Sequence, residues 1–166
     1  MEENRKEIDA LTLANELTLR RYLFNKTQVN RGLNEADYIL LHIIMETGNE
    51  QEVYEGKTYL KDLSEKMMLT IRQTSKLIGK LKERGLVNWS HDGDGNEGTY
   101  VTIMDAGRKL LEQQQAVYKE YYGNVIKRFG KDNLIELLNL MKQLETVMYS
   151  EQEKMEVAFD VDAGDK

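Results

Sequence analysis

The sequence predicts a mainly α-helical chain with one small β-hairpin, and three observations carry that expectation. Apolar residues recur at helical spacing in stripes such as Ile39, Leu40, Ile43, Ile44 and Leu134, Leu137, Leu138, Met141, Leu144. Proline is absent, so long helices meet no obligatory break. The helical period lapses in one place. There two strand-like runs, residues 86–90 and 99–104, flank the turn-rich segment HDGDGNEG.

Residues 5–29 are expected to be helical, with Ile8, Leu11, Leu17, Leu23 and Phe24 as buried positions. Their apolar character on all sides suits a helix packed on two sides, as against a second subunit. Asn30, Arg31 and Gly32 break it. Asn34 is the expected N-cap of the next helix, with Glu35 and Asp37 favourable in its first turn. A stripe of Ala36, Ile39, Leu40, Ile43, Ile44 and Thr47 then runs to Gly48, an expected stop. Residues 49–57 are polar and expected to form a loop with room for a short strand. Leu60, Leu63 and Met67 mark a short helix after Thr58, and Met68-Leu69 is the turn after it.

Residues 70–85 form the stretch on which the rest is organised. Thr70 and Gln73 fit a capping box, each satisfying a free backbone N–H of the other. Ile71, Thr74, Ile78 and Leu81, with Leu77 beside them, make one apolar stripe, while Arg72, Gln73, Lys76 and Lys80 fall opposite. The stretch holds Arg72, Lys76, Lys80, Lys82 and Arg84 against Glu83 alone, a net +4 in a chain of net −6. Residues 59–109 are the only positive third. A compact cationic helix in an acidic protein points to a polyanionic partner. The bland alternative is a solvated helix face.

Two helices joined by a tight turn, the second basic, form a helix-turn-helix. The hairpin that follows Gly85 adds a wing. Asp105 is expected to cap a helix reaching about residue 129, with Leu110, Leu111, Val117, Tyr121, Val125 and Phe129 as its apolar positions. Gly130 and Asp132 mark a break and a restart, and the last stripe runs to about Met155. The expected organisation is a dimerisation helix in 1–33 and a winged helix-turn-helix lobe in 34–109, with recognition helix 70–84 and wing 86–104. Long dimerisation helices follow in 105–156, then an acidic tail, expected to be disordered, in 157–166. Helices at both ends with more apolar surface than the lobe covers predict a symmetric homodimer. Such a dimer sets two basic helices one DNA turn apart.

Composition excludes several classes. Without cysteine there is no disulfide, thiolate metal site or thiol redox switch. The charged start MEENRKEID does not resemble a signal peptide, and no apolar run spans a bilayer, so a cytoplasmic protein is expected. No glycine-rich phosphate loop precedes a helix, and neither HExxH nor a nucleophile elbow occurs; an enzyme is not expected. His42 and Glu46 are one turn apart, but two histidines without cysteine make a poor metal set, so neither metal nor cofactor is expected. Tyr118, Tyr121, Tyr122, Tyr149 and Trp89 either line a ligand pocket or pack as core and interface aromatics.

Three segments in order closely resemble the MarR family of bacterial transcription regulators. They are LKDLSEK from Leu60, then TSKLI from Thr74 leading to LKERGLV from Leu81, and, beyond the wing, DAGRKLL from Asp105. The resemblance implies a cytoplasmic homodimer on a palindromic operator in double-stranded DNA. It usually implies a repressor released by a small aromatic or anionic ligand. It places Arg72, Gln73, Ser75, Lys76 and Lys80 on the DNA-facing side of the recognition helix, with Thr70 at its cap. Thr58 and Lys61 match positions that touch phosphate. Gln73 either reads adenine or only closes the capping box.

The wing departs from the family pattern, which carries arginine or lysine near its tip. Here stand Asp92, Asp94 and Glu97. Either the wing stays off DNA, or His91 and backbone N–H groups make its contacts, or binding is weak; the first is expected. The competing function is a winged-helix protein-interaction module with weakened DNA binding.

Overall fold

The computed structural model describes residues 8–50, 57–92 and 98–155. The expected helix start at 5–7, most of the 49–57 loop, the wing-tip acids Asp94 and Glu97, and the acidic tail lie outside the described residues. The chain divides into two units, Met1–Asn30 and Arg31–Lys166.

The first unit is helix α1, Ala10–Phe24. Asp9 caps it, its Oδ1 accepting from the Thr12 backbone N–H at 2.8 Å. That hydrogen bond holds the Asp9 carboxyl below the usual carboxylate range. The helix ends earlier than expected because the Thr27 hydroxyl takes the Phe24 carbonyl at 2.7 Å, with Lys26 N–H closing on Leu23. None of Ile8, Leu11, Leu17, Leu23 and Phe24 is buried by this chain.

The second unit starts with α2, Glu35–Glu50, capped as expected by Asn34, whose Oδ1 accepts from Asp37 N–H at 2.8 Å. The helix runs past Gly48. Its buried face is Leu40, Leu41 and Ile44, so the stripe is rotated from the expected one and Ile39 is exposed. Strand β1, Thr58–Tyr59, leads directly into α3, Leu60–Met67. Met68 adopts φ 54, and Leu69 N–H bonds back to the Ser64 carbonyl at 3.0 Å, which makes the turn abrupt.

Helix α4, Ile71–Glu83, has both bonds of the capping box: Gln73 N–H to Thr70 Oγ1 and Thr70 N–H to Gln73 Oε1, each 3.0 Å. Changing Thr70 to alanine is expected to lower stability by about 1 kcal/mol in chemical denaturation. Thr74, Ile78 and Leu81 are buried, with Leu77 half-buried beside them. Ile71 is not in that core; it is 47% exposed.

The wing strands are β2, Val87–His91, and β3, Thr99–Ile103. Their antiparallel sheet has the order β1-β3-β2, with Trp89 opposite Val101 and His91 opposite Thr99. On the other edge Thr58 pairs with Val101. Helix α5, Asp105–Phe129, is capped by Met104 rather than Asp105 and has no side-chain cap bond. The Met104 N–H instead donates to the Leu86 carbonyl at 2.9 Å, docking the helix start on the wing. Asp105 lies within the first turn, where the helix dipole favours an acid.

Leu63, Ile78, Leu81, Val101 and Leu111 join the buried face of α2 in one core. Helix α6, Lys131–Lys154, follows a break at Gly130 and buries none of its residues; Ile135, Leu138, Leu140 and Val147 are exposed.

Candidate nucleic-acid interface

Arg72, Lys76 and Lys80 stand four residues apart on α4, so each advances only about 40° round the axis and the three form one exposed stripe. Like charges at this spacing weaken a helix by a few tenths of a kcal/mol per pair, roughly 0.2–0.5. The arrangement costs the isolated protein stability and suits a polyanion.

Arg84 and Lys82, the remaining cations of the basic stretch, contact the rest of the lobe. Arg84 donates from Nη2 to the Gly32 carbonyl at 2.6 Å, and its Nη1 lies 3.8 Å from Asp37. Burial pushes the Asp37 carboxyl up, outweighing the pull of Arg84 and Lys80. Lys82 lies over the Trp89 ring, 5.1 Å from its centre.

Between α4 and the wing runs a groove of ≈ 620 Å³, lined by Leu60, Ile71, Arg72, Ser75, Lys76, Trp89, His91 and Thr99. Strand alternation explains the wing side of it. Val87, Trp89 and His91 share one face of β2, and Val101 and Thr99 continue that face on β3. The His91 Nδ1 and the Thr99 hydroxyl are 2.9 Å apart. The groove offers two cations, two hydroxyls and an imidazole over an apolar floor, a set that fits a sugar-phosphate strand.

Alternation sends Asp92 the other way. Its Oδ2 accepts from Lys57 Nζ at 3.0 Å and from the Tyr59 hydroxyl at 2.8 Å, and Lys57 also lies over the Tyr100 ring. The Lys57 hydrogen bond, then that from Tyr59, holds the Asp92 carboxyl low, and the same bonds push Lys57 and Tyr59 up. The first acid of the wing is thus paired on the face away from the groove. A depressed carboxyl stabilises the fold above its unfolded pKa, and that contribution is lost as pH falls through the folded value. Lys57, raised, loses its contribution only as pH rises through its own folded value. The pair therefore acts across the whole range between roughly pH 4 and pH 10. Asp92→Asn should remove a small increment of stability over that range and none in stronger acid, as urea titrations at several pH values would detect.

Of the expected site residues, the structure brings Arg72, Ser75, Lys76 and His91 together in the groove lining, and Lys80 continues the stripe. Lys61 is exposed on the first turn of α3. Thr70 and Gln73 are engaged in capping, so bidentate readout of adenine by Gln73 must share its Oε1 with the cap. Thr58 is a correction. It lies in β1 rather than at the helix start, is 1% exposed, and its hydroxyl donates to the Ile44 carbonyl at 3.4 Å. Leu60, Ile71 and Thr99 were not expected in the site, and Trp89 was expected only as a ligand-pocket or core aromatic. Thr70 as N-cap and the period of two in β2 were the signals that could have found Ile71 and Trp89.

The aromatic residues divide. Tyr38, Tyr118, Tyr122 and Tyr121 form a chain of edge contacts, with His42 stacked on Tyr38. Burial pushes the Tyr118 and Tyr122 hydroxyls up. Trp89 belongs to the groove, and Tyr149 is exposed on α6. His42 Nε2 is 3.5 Å from Glu46. Among the described residues no three of His, Cys, Asp and Glu gather as a metal site, and no helix is long and apolar enough to cross a membrane.

No family profile and no curated protein matches the chain. Solved structures do. A MarR family regulator from Neisseria meningitidis superposes with a TM-score of 0.63 at 18% identity, over 87% of this chain and 96% of that one. The PcaV transcriptional regulator from Streptomyces coelicolor, in complex with its natural ligand, gives 0.62 at 15% identity, over 84% and 93%. A MarR mutant from E. coli complexed with operator DNA gives 0.56 at 15% identity, over 68% and 76%. Together with the six helices and three-stranded antiparallel sheet found in this order among the described residues, these likenesses give the chain the winged-helix fold of the MarR-family transcriptional regulators.

Proposed function

We propose that the chain is a sequence-specific regulator of transcription that binds double-stranded DNA as a homodimer, a member of the MarR family in function as well as in fold. The observation that carries this is the stripe of Arg72, Lys76 and Lys80 beside a groove of hydroxyls and imidazole. The recognition helix enters the major groove, Arg72 and Lys76 meet bases and phosphates, and one phosphate strand passes between α4 and the base of the wing, so that His91 and Thr99 touch it in place of the expected wing held off DNA. The dimer is supported by α6, where Ile135, Leu138, Leu140 and Val147 stand exposed among the described residues, and by α1, which buries none of its own residues. Residues 1–33 and 105–156 supply its interface, and 34–109 form the reading lobe. Repression on a palindromic operator, relieved by a small aromatic or anionic effector in the cytoplasm, is the finer part of the proposal. It draws on a related fold bound to operator DNA and another holding its natural ligand.

The pairing of Asp92 weakens the interaction-module alternative, because one of the three wing acids is compensated and faces away from the groove. Asp92→Asn should change operator affinity less than about fivefold. A larger gain would mean that this acid sits against phosphate.

Selection from a random duplex library at near-physiological salt tests the proposal. It should yield a palindrome with half-sites one helical turn apart. Three cations on each of two helices predict a slope of log K against log salt of about −5. No enrichment, with no duplex binding even in low salt, would reject DNA as the partner.

A further inference from the structure

Two hydrogen bonds meet on adjacent residues at the start of the larger unit. The Arg31 backbone N–H donates to Gln114 Oε1 at 2.6 Å, and the next carbonyl, of Gly32, accepts from Arg84 Nη2 at 2.6 Å. Gln114 lies on α5 and is 0% exposed. Arg84 is the C-cap of the recognition helix. Gly32 has φ +76, and a Cβ there would come within 3.2 Å of Leu110 Cδ1. A side chain would therefore be strained in dihedral angle and crowded against α5. Leu33, which follows, is buried in the core and holds the turn down. The second arm of the Arg84 guanidinium faces Asp37 on α2.

We propose that Arg31-Gly32 is a brace between α5 and the C-terminal end of the recognition helix. Gln114 and Arg84 are then positioning residues for that helix. Replacing the buried Gln114 amide removes the acceptor of the Arg31 N–H, and the segment, already exposed at Arg31 and Gly32, swings out so that this N–H is met by water instead. That movement carries the Gly32 carbonyl away from the rigid Arg84 fork and loosens the last turn of α4, held by Arg84 N–H on Lys80, Gly85 N–H on Lys82 and Leu86 N–H on Leu81. The effect on DNA binding rests on the regulator proposed above; the brace itself does not.

Amide hydrogen exchange on the full chain tests it, with Gln114→Met, Arg84→Met and the double variant. Gln114→Met should speed exchange about tenfold at the amides of Arg84, Gly85 and Leu86, although residue 114 lies on another helix. Arg84→Met should do the same at Arg31, and the double variant should exceed neither single change, because one element carries both. Duplex affinity of Gln114→Met should fall about fivefold, the low end of site-to-site coupling, with the salt slope unchanged because no phosphate contact is removed.

Exchange that rises only at Arg31 and along α5, leaving the end of α4 unchanged, overturns the brace; so do additive effects in the double variant. If Gln114→Met does not fold, Arg84→Met decides alone, and an unchanged Arg31 amide overturns the proposal. Coupled exchange in a chain that binds no duplex leaves the brace standing and removes the DNA reading. Uncoupled exchange in a chain that binds duplex removes the brace alone.

Discussion

Alanine at both Arg72 and Lys76 is expected to weaken binding to duplex DNA about a thousandfold without lowering the stability of the fold. In a dimer the double change removes four cations. Taken at about 1 kcal/mol each, the low end for such contacts, they sum to about 4 kcal/mol, or roughly three powers of ten in affinity. Both side chains are exposed, so no core contact is lost, and relief of like-charge repulsion along α4 offsets the change. The single variants separate two roles. If Arg72 reads a guanine, Arg72→Ala relaxes the preference at one position of each half-site. If Lys76 holds phosphate, Lys76→Ala weakens all sequences alike and makes the salt slope of the dimer shallower by about 2. Fluorescence anisotropy on the selected palindrome and on scrambled duplexes measures both. A loss under tenfold for the double variant would take this helix out of the interface.

Helix α4 was legible because its signals are local. The cap at Thr70, the buried period of Thr74, Ile78 and Leu81 and the stop before Gly85 all lie within sixteen residues and agree with one another. Errors arose where burial depends on a distant neighbour. Ile71 shares the period of the buried stripe, yet at the first turn it faces the groove beside the wing rather than the core. Thr58 precedes a helix in sequence, but a two-residue strand claims it, and two residues carry no period. Asp92 looked like one of three unpaired acids, since its partners Lys57 and Tyr59 are more than thirty positions away. Gln114 sits in a run of three glutamines that suggests a wet surface. Its spacing from Gly107 and Leu111 already put it on the buried face, and the period deserved more weight than the residue type. The α6 stripe of Leu137, Leu138, Met141 and Leu144 was legible from its period, but a period does not say what covers a stripe, and among the described residues this one stands exposed.

Gly107→Ala is expected to cost the fold about 3 kcal/mol, the upper end of overpacking penalties, read as a lower urea midpoint at unchanged slope. A Cβ at this position would fall 2.2 Å from the Leu86 carbonyl oxygen and 3.0 Å from its carbon. Backbone cannot rotate away as the end of a flexible side chain can. That same carbonyl accepts the Met104 N–H that docks the start of α5, so moving the helix back breaks the bond and opens the core around Leu111. Leu86 lies three residues past the end of α4, and its own N–H closes on Leu81. The strain should therefore reach α4 as well, and duplex affinity should fall even where the variant is still folded. Arg108→Ala, one residue on and exposed, is the control and should stay within about 0.5 kcal/mol of the parent. A Gly107→Ala variant within that same limit would mean that α5 does not approach the Leu86 backbone as closely as described. The docking of the long helix on the winged-helix lobe would then need another account.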